Sequence, residues 1–412
     1  MNKIKFLSLS LVALFMACFT ACESKYDVDH TAELVGTWTC LTNGYAEALV
    51  IKADGSVLST GYDGEDYWEN VAGTIKIKGN VATMTFEDGD DAIGHIDVVP
   101  GIAFSIYEED GEDWTFNYCA NDLADEVVGM WVCNDGLAEE ENDMVIMSYS
   151  TEGKVTMTTP ASTFVPTDFV NQVFDYKVVG DLLFKMFPKE NLSEGANPYL
   201  ASRLTYSPNG TSLGDVLIEN QHTPTENGVM ELTFSFLRVK ETLDPKGQVY
   251  DYSAAYISNA KGKDEDFSML GHTFNMANIK GSNFNMMFRT ELFSIEFKTN
   301  SIKQSFRANG QNIEVDFPIT VDGNKVVLDM SAANPAFRKV EMHMFQDKDN
   351  TQLHIYMHTD AFINYFANLE IVTMMVEGKI DPTNATAVEK VFADMEARVE
   401  SINVSMVFKA RN

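Results

Sequence analysis

Cations are scarce in this sequence, with 30 Lys and Arg residues against 61 Asp and Glu residues and a formal net charge of −31. A surface this acidic repels phosphate backbones and anionic headgroups, which argues against nucleic acid as a partner and against flat docking on an anionic bilayer. Five cysteines occur in 412 residues, and none forms a Cys-x-x-Cys pair. Zinc-ribbon and thioredoxin-type chemistry is therefore unsupported.

Motifs of the common catalytic classes are missing as well. The Gly-x-Ser-x-Gly sequence at Gly210–Gly214 follows the hairpin-type dipeptide Asn209-Gly210, so it is not the strand-to-helix nucleophile elbow, and the sequence has no glycine-rich phosphate loop. The paired carboxylates of a glycosidase need not be close in sequence, so the abundant acids single out no pair. We therefore predict a protein that is not an enzyme and has no cofactor, with a glycan-cleaving enzyme as the less favoured alternative.

One long apolar run is present, and it opens the chain. Residues 6–17 are uncharged and mostly apolar, and they follow Lys3 and Lys5. The run is shorter than the roughly 20 residues of a membrane-spanning helix and has the charged start and apolar middle of a secretory signal. It leads into Phe-Thr-Ala-Cys22, which resembles the lipobox of bacterial lipoproteins. Cys18 is a second candidate, but the small residues before Cys22 fit better.

The lipobox resemblance implies that residues 1–21 are a signal peptide and that Cys22 becomes a lipid-bearing N-terminus, with a linker over 22–32. A plain signal peptide without lipid is the alternative. Removal of the two lysines of the signal makes the mature protein two charges more negative. Glu23, rather than aspartate, follows Cys22. By resemblance to lipoprotein sorting we expect a lipid-anchored envelope protein of the outer membrane, on its periplasmic face or at the cell surface.

The remainder of the chain has the pattern of antiparallel β structure. Short segments alternate apolar and polar residues, as in Gly73–Lys78 and Val81–Phe86, and turn dipeptides separate them. Regular short strands with such turns predict barrels or sandwiches. The turn dipeptides are Asp54-Gly55, Gly79-Asn80, Asp88-Gly89, Asp110-Gly111, Asn209-Gly210, Asn227-Gly228, Asn309-Gly310 and Asp322-Gly323.

Two segments begin alike. Leu34-Val-Gly-Thr-Trp-Thr-Cys40 returns 93 residues later as Val127-Val-Gly-Met-Trp-Val-Cys133. A glycine two residues before a tryptophan, at the start of up to eight strands, resembles the lipocalin-like (calycin-type) superfamily. The resemblance implies tandem antiparallel barrels in which Trp38 and Trp131 plug the closed ends.

We predict a mainly β fold with three domains: lipocalin-like domains at 33–124 and 125–243, and a β domain at 244–412 with two helices near its C-terminus. The first domain is strongly acidic, with 18 acidic residues against three lysines between Glu33 and Asp122. Its acidic turns at 87–91 and 108–113 lack the spacing of a calcium-binding EF-hand loop, so we expect solvated hairpin tips.

Three cysteines remain after the signal peptide and lipidation are taken into account, namely Cys40, Cys119 and Cys133. Cys40 and Cys119 lie on the first and last predicted strands of one domain, which are neighbours in a closed barrel. A Cys40–Cys119 disulfide is one expectation in an oxidising compartment, and three buried thiols are the favoured alternative.

The third region has no Gly-x-Trp start, and its alternation predicts longer strands. A hairpin follows that separates apolar side chains on one face from polar side chains on the other. Two helices come next, opening at Thr359 and Asp381, and Ser401–Lys409 returns to alternation as the closing strand. The helical pair either caps a barrel mouth or packs on a sheet. The predicted strands before the hairpin are 288–298, 304–308, 313–320 and 325–330.

One constellation in this hairpin points to a metal ion. A turn of two or four residues within Asp347–Asn350 places His343 opposite His354, with Cβ atoms about 5 Å apart. Two imidazoles at this spacing can share zinc or copper, and Glu341 on the same face can add an oxygen. The favoured alternative is a polar outer face that carries histidines.

These observations predict an envelope lipoprotein that binds rather than catalyses. Its partner is either an apolar small molecule held inside a barrel or a protein of the envelope. Methionine clusters such as Met286-Met287 fit an apolar ligand site, although core packing is the favoured explanation. The alternative function is a structural or adhesive surface protein with filled barrels, and the packing of the barrel interiors separates the two.

Overall fold

The computed structural model describes residues 31–42, 45–89, 91–108, 113–133, 145–160, 169–189, 192, 197–207, 210, 212–219, 230–291, 293–308, 310–332 and 335–411. The predicted signal peptide, Cys18 and Cys22 lie outside these residues. Within them the chain forms three closed antiparallel barrels of eight strands, a separate two-stranded hairpin and three α-helices. The predicted fold class is therefore confirmed. No helix in the described ranges is long and apolar enough to cross a membrane.

Barrel 1 runs up and down, with each strand pairing with its sequence neighbour and the last returning to the first. Its strands are β1 Gly36–Thr42, β2 Tyr45–Ile51, β3 Ser56–Tyr62, β4 Tyr67–Lys78, β5 Val81–Phe86, β6 Ala92–Val99, β7 Ala103–Glu108 and β8 Asp113–Cys119. Gly55 (φ 79°) and Gly79 (φ 63°) supply the left-handed backbone of two tight turns, which explains the glycines of the predicted turn dipeptides.

Barrel 2 repeats the same up-and-down order, and its last strand closes on its first. Its strands are β9 Gly129–Cys133, β10 Val145–Tyr149, β11 Lys154–Pro160, β12 Phe169–Val179, β13 Leu182–Met186, β14 Tyr199–Tyr206, β15 Ser212–Glu219 and β16 Met230–Val239.

Barrel 3 has the same closed order but with two insertions. A hairpin and a helix separate its first two strands, and two helices separate its last two. Its strands are β17 Val249–Gly262, β20 Ser294–Phe297, β21 Ser301–Ala308, β22 Gln311–Asp322, β23 Lys325–Leu328, β24 Val340–Gln346, β25 Gln352–Met357 and β26 Val399–Ala410. The inserted elements are β18 Asp266–Met269, β19 His272–Asn275, α1 Gly281–Thr290, α2 Thr359–Val376 and α3 Ala385–Glu396.

The first insertion corrects one predicted strand. Residues 281–290 are helical, so the strand predicted over 288–298 is wrong in its first part, and β20 starts only at Ser294. Phe284, Met287 and Phe288 are buried at helical spacing along one face of α1. The Asn283 side chain accepts a hydrogen bond from the Lys280 backbone N–H at 2.8 Å, which caps the start of this helix.

Compact packing divides the chain into two units, each described separately below. Most of barrel 1 forms one unit, and barrels 2 and 3 belong to the other.

Candidate functional site

The closed ends of barrels 1 and 2 are built alike. Trp38 and Trp131 are fully buried, and each indole N–H donates to the backbone carbonyl four residues earlier. The Nε1–O distances are 2.6 Å for Trp38 to Leu34 and 2.7 Å for Trp131 to Val127. A buried indole needs such an acceptor, because an unpaired N–H in an apolar end is costly.

The two indoles are covered by different side chains. In barrel 1, Tyr118 packs edge-on against Trp38 with ring centroids 5.1 Å apart. In barrel 2, the guanidinium of Arg238 lies over the ring of Trp131 at 4.9 Å from its centroid. Arg238 also donates to the backbone carbonyls of Glu126 and Val128. Each indole is thereby covered by a side chain from the last strand of its own barrel.

The interior of barrel 1 is packed with its own aromatic side chains. Phe104 lies 5.0 Å from Trp38 and stacks on Phe116 at 4.9 Å between centroids, and all three rings are buried. Its buried polar groups are bonded internally. Ser59 Oγ donates to Glu47 Oε1 at 2.5 Å, and Trp68 Nε1 donates to Ser59 Oγ at 2.7 Å.

The interior of barrel 3 is filled by helix α2. This helix is buried on all sides over most of its length, unlike an ordinary surface helix. Phe366 packs on Phe284 and Phe288 of α1, with centroids 5.7 and 5.9 Å away, and on Phe362 of its own helix. Tyr365 is bonded to the buried Gln304 of β21, and burial raises the pKa of its hydroxyl. The helical pair therefore closes and fills this barrel.

The predicted histidine pairing in the third domain is wrong by two residues. His343 of β24 faces Tyr356 of β25, and His354 faces Phe345. The turn is built over Lys348–Thr351, because the Asp347 carboxylate accepts from the Gln352 N–H at 2.8 Å and Asn350 adopts a left-handed φ of 59°. The sequence interpretation placed this turn one residue earlier, and that error shifts the register by two.

The observed register separates the residues of the predicted metal site, and the face that carries them is not the polar outer face that the sequence indicated. Glu341 is ion-paired with Lys325, with Nζ and Oε2 2.6 Å apart. The described ranges contain no group of three His, Cys, Asp or Glu side chains that could hold a metal ion. The face that carries His354 is not a polar outer surface, because Phe345 and Tyr356 pack in an apolar cluster with Val132, Ile146 and Val239 of barrel 2.

His354 itself is buried at this contact between barrels 2 and 3. Only 3% of it is exposed, and burial lowers the pKa of its imidazole to about 4. Backbone bonds reinforce the contact: Lys240 N donates to Gln346 O at 2.9 Å, and Lys348 N donates to Arg238 O at 2.8 Å. His354 is therefore part of an internal interface.

The expected Cys40–Cys119 disulfide is not formed. β1 and β8 are neighbours as predicted, but Cys119 lies opposite Thr37, three residues from Cys40. An odd separation places the two side chains on opposite faces of the sheet, so their sulfur atoms cannot meet. Cys40 and Cys133 are buried, while Cys119 is half-buried.

A shallow concavity of about 750 Å³ lies beside α3. Its lining is mostly aliphatic, with Ala336, Val388 and Ala393 among its residues, and Glu389 and Lys390 at its edge. Glu389 already pairs with Arg338 at 2.8 Å between Oε1 and Nη2. The lining offers no converging polar groups to fix the orientation of a ligand.

The outward side of β5–β8 in barrel 1 is an exposed sheet surface of few charges, and we call it the open face. The register aligns Thr83 with Ile93, His95 with Tyr107, and Ser105 with Thr115 across its strands. Ile93 is 62% exposed, and Ile102 in the adjoining turn is 65% exposed. Ile93 lies near the start of β6 and Ile102 in the turn after its end, so the two exposed aliphatic side chains mark opposite ends of the open face.

Sequence reasoning missed this face because it concentrated on the inward side of each strand. Its signal is present in β6, where Ile93 and Val99 occupy the positions that should be polar in a half-buried strand, while Ile96 faces the core. A strand with aliphatic residues on both sides indicates either a covered outer surface or a docking surface.

Comparisons with known proteins identify no family for this chain. No protein-family model and no curated protein match this sequence. Among solved structures, the chain is similar to transferrin binding protein B from Haemophilus parasuis Hp5, at 11% identity and a TM-score of 0.23, over 89% of this chain and 65% of that one. It is also similar to isotype 1 transferrin binding protein B from serogroup B Neisseria meningitidis, at 10% identity and a TM-score of 0.19, over 89% and 66%. The chain thus spans just under two thirds of these structures.

Proposed function

We propose that the protein is a lipid-anchored envelope protein of lipocalin-like design that docks a macromolecular partner through the outer surface of its barrels and does no catalysis. The observation that carries this proposal is the filling of barrels 1 and 3 by their own side chains, above all by α2 in barrel 3. With these interiors occupied, the exposed surfaces are left for recognition. The open face supplies such a surface, with Ile93 and Ile102 at its most exposed points.

Transport of an apolar small molecule is not part of the proposal. Such a ligand needs an apolar cavity of roughly 300 Å³ or more. The corresponding space in barrel 3 holds Tyr365, Phe366 and their neighbours. The transferrin binding of the similar structures, given in their names, lends no support either, because TM-scores of 0.23 and 0.19 carry no argument.

The docking function is tested on native complexes extracted from the host membrane in mild detergent. The parent protein is expected to migrate in a complex larger than its own mass. Ile93→Asp combined with Ile102→Asp places charges in the contact and should return the protein to the monomer. Val321→Asp, on the outside of barrel 3 and 37% exposed, is the matched control and should leave the complex intact. A parent protein that is always monomeric would instead identify a structural spacer with filled barrels.

The anchor is tested by a matched cysteine pair. Cys22→Ala should release the protein from the membrane fraction and abolish incorporation of labelled fatty acid, because a buried acyl chain supplies the affinity for lipid. Cys18→Ala should leave both the membrane attachment and the incorporation of labelled fatty acid unchanged. Retention of the Cys22→Ala protein in the membrane would contradict the proposed anchor.

A further inference from the structure

The outward residues of β5–β8 avoid charge in a domain that is otherwise strongly acidic. Between Glu33 and Asp122 the chain has 18 acidic residues and three lysines. Among the outward positions of the four strands, only Asp97 and Asp113 are acidic, and none is Lys or Arg. Interfaces show the same segregation, with charge depleted at the centre and polar groups at the rim.

Exposed carboxylates cluster at one end of the open face. The end of β5 and the starts of β6 and β8 lie at this end, because neighbouring strands run antiparallel. Glu87, Asp88 and Asp91 are exposed there, and Asp113 begins β8 beside them. We call this the acidic end.

Two lysines lie along the lateral edge of the open face. Lys78 of β4 pairs with Val81, and Lys76 pairs with Thr83, so both side chains flank β5. Both lysines are exposed. The outward positions of the four strands themselves carry no cation, and Asp97, 3.4 Å from His95, adds a carboxylate beside Ser105.

The size of the open face requires the charged rim to take part in any stable contact. Four strands about 4.8 Å apart and about six residues long form a patch of roughly 20 Å by 20 Å. A stable complex buries about 800 Å² on each partner. A partner seated on these four strands must therefore extend beyond them onto the charged residues at their ends and edges.

We propose that the open face binds a basic protein, one whose docking patch carries a cluster of Lys or Arg side chains that meets the acidic end. This inference rests on the proposed docking function and names the chemistry of its partner. The acidic field of barrel 1 attracts such a protein from a distance and orients it.

A second copy of the chain is a poorer occupant. Each copy has a formal net charge of −31, so two copies repel one another at long range. In a dimer whose two open faces pack in opposite orientations, the exposed carboxylates at the acidic end of one copy would face only two lysines of the other copy. A basic partner satisfies these carboxylates without that repulsion.

The test uses a photo-crosslinking amino acid at position 93 of the full-length protein in its own host, with position 321 on barrel 3 as the control. The expected result is one crosslinked protein at 93 and not at 321, with a positive formal net charge. Its affinity for the full-length protein, measured with both purified, should fall roughly tenfold between about 50 and 300 mM salt. Glu87→Gln with Asp88→Asn should weaken binding severalfold, whereas Lys76→Gln with Lys78→Gln should not.

The possible failures separate the two proposals. A crosslink at 93 to a second copy or to an acidic protein would overturn the basic partner and leave docking in place. Binding that ignores salt and the Glu87 and Asp88 substitutions would do the same. The absence of any crosslinked product at 93 would overturn both the basic partner and the docking function of the open face.

Discussion

Barrels 1 and 2 differ from barrel 3 in how an eight-stranded barrel is closed. In the first two, a buried indole bonded to a carbonyl four residues earlier packs near the start of the first strand. In barrel 3, no Gly-x-Trp segment opens the domain, and helix α2 fills the interior instead. The lesson is that the same strand order requires an apolar filling, which either a strand-borne side chain or an inserted helix can supply.

The largest expected effect lies in the helix that fills barrel 3. Phe366→Ala should lower the free energy of unfolding by about 3–5 kcal/mol, because a fully buried ring at the centre of an aromatic cluster leaves a cavity. Denaturant unfolding measures it. Val376→Ala, at the exposed end of the same helix, is the control and should change stability by less than about 0.5 kcal/mol. Equal effects of the two substitutions would show that α2 is not the filling of the barrel.

The next effect compares the closed ends of barrels 1 and 2. Gly36 and Gly129 both have left-handed φ values, 141° and 130°, so alanine is strained at either position by about 1–3 kcal/mol. A Cβ on Gly36 would also lie 2.7 Å from the Tyr118 ring, whereas one on Gly129 would meet Arg238 at 3.4 Å. Gly36→Ala should therefore lower the thermal midpoint of its own barrel more than Gly129→Ala lowers that of barrel 2. The reverse order would contradict the role assigned to Tyr118.

A pH effect should separate barrels 2 and 3 from barrel 1. Burial lowers the pKa of His354 in the folded protein to about 4 from its usual 6.5, so the unfolded chain binds the proton first as pH falls. The contribution of His354 to the free energy of unfolding is fully present above about pH 6.5 and is lost as the pH falls towards 4. The loss at pH 5 is about 2 kcal/mol. His354→Gln should remove this part of the pH dependence in urea unfolding at pH 7.5 and 5. His343→Gln, half-buried on the same face, should keep the slope of the parent protein.

A smaller effect is expected where helices α2 and α3 are tied to the loop before β24. The side chain of Asn368 accepts from the Arg338 N–H at 3.2 Å and donates to the Arg338 carbonyl at 2.8 Å. Asn368→Ala leaves these buried backbone groups unpaired, at a cost of about 1–3 kcal/mol. Thermal unfolding measures the loss. A neutral substitution would show that water replaces the amide.

The smallest effect is expected at the surface of barrel 3. Lys325→Met removes the ion pair with Glu341, and both side chains are about half exposed. Such pairs contribute less than about 1 kcal/mol. A larger loss of stability in denaturant unfolding would mean that Glu341 has a structural role beyond this pair.

Much of the architecture is predictable from local patterns. Turn glycines, alternating strands and the two Gly-x-Trp segments indicate tandem barrels, because these features depend on near neighbours in the chain. The second helix of the C-terminal pair is also predictable from the sequence, since Val388, Phe392 and Met395 form one buried stripe of α3.

Two features could not be predicted from the sequence, namely the pairing of β24 with β25 and the burial of His354. Both depend on strand register and on residues that are distant in the chain. The position of a left-handed residue, Asn350 rather than an earlier one, decides which side chains face each other across β24 and β25. The strand face that carries His354 is covered because Phe345 and Tyr356 pack against Val132 and Ile146 of barrel 2, about 200 residues earlier in the chain. No local pattern indicates either fact.

The most direct test of filled barrels is native mass spectrometry of the mature, lipidated protein extracted gently from its own membrane. We predict a mass equal to the polypeptide plus its N-terminal lipid, with no small molecule released on denaturation, in independent preparations. A reproducible adduct that is held in the native state and lost on unfolding would contradict the account, because it would require a ligand cavity where the chain's own side chains are packed.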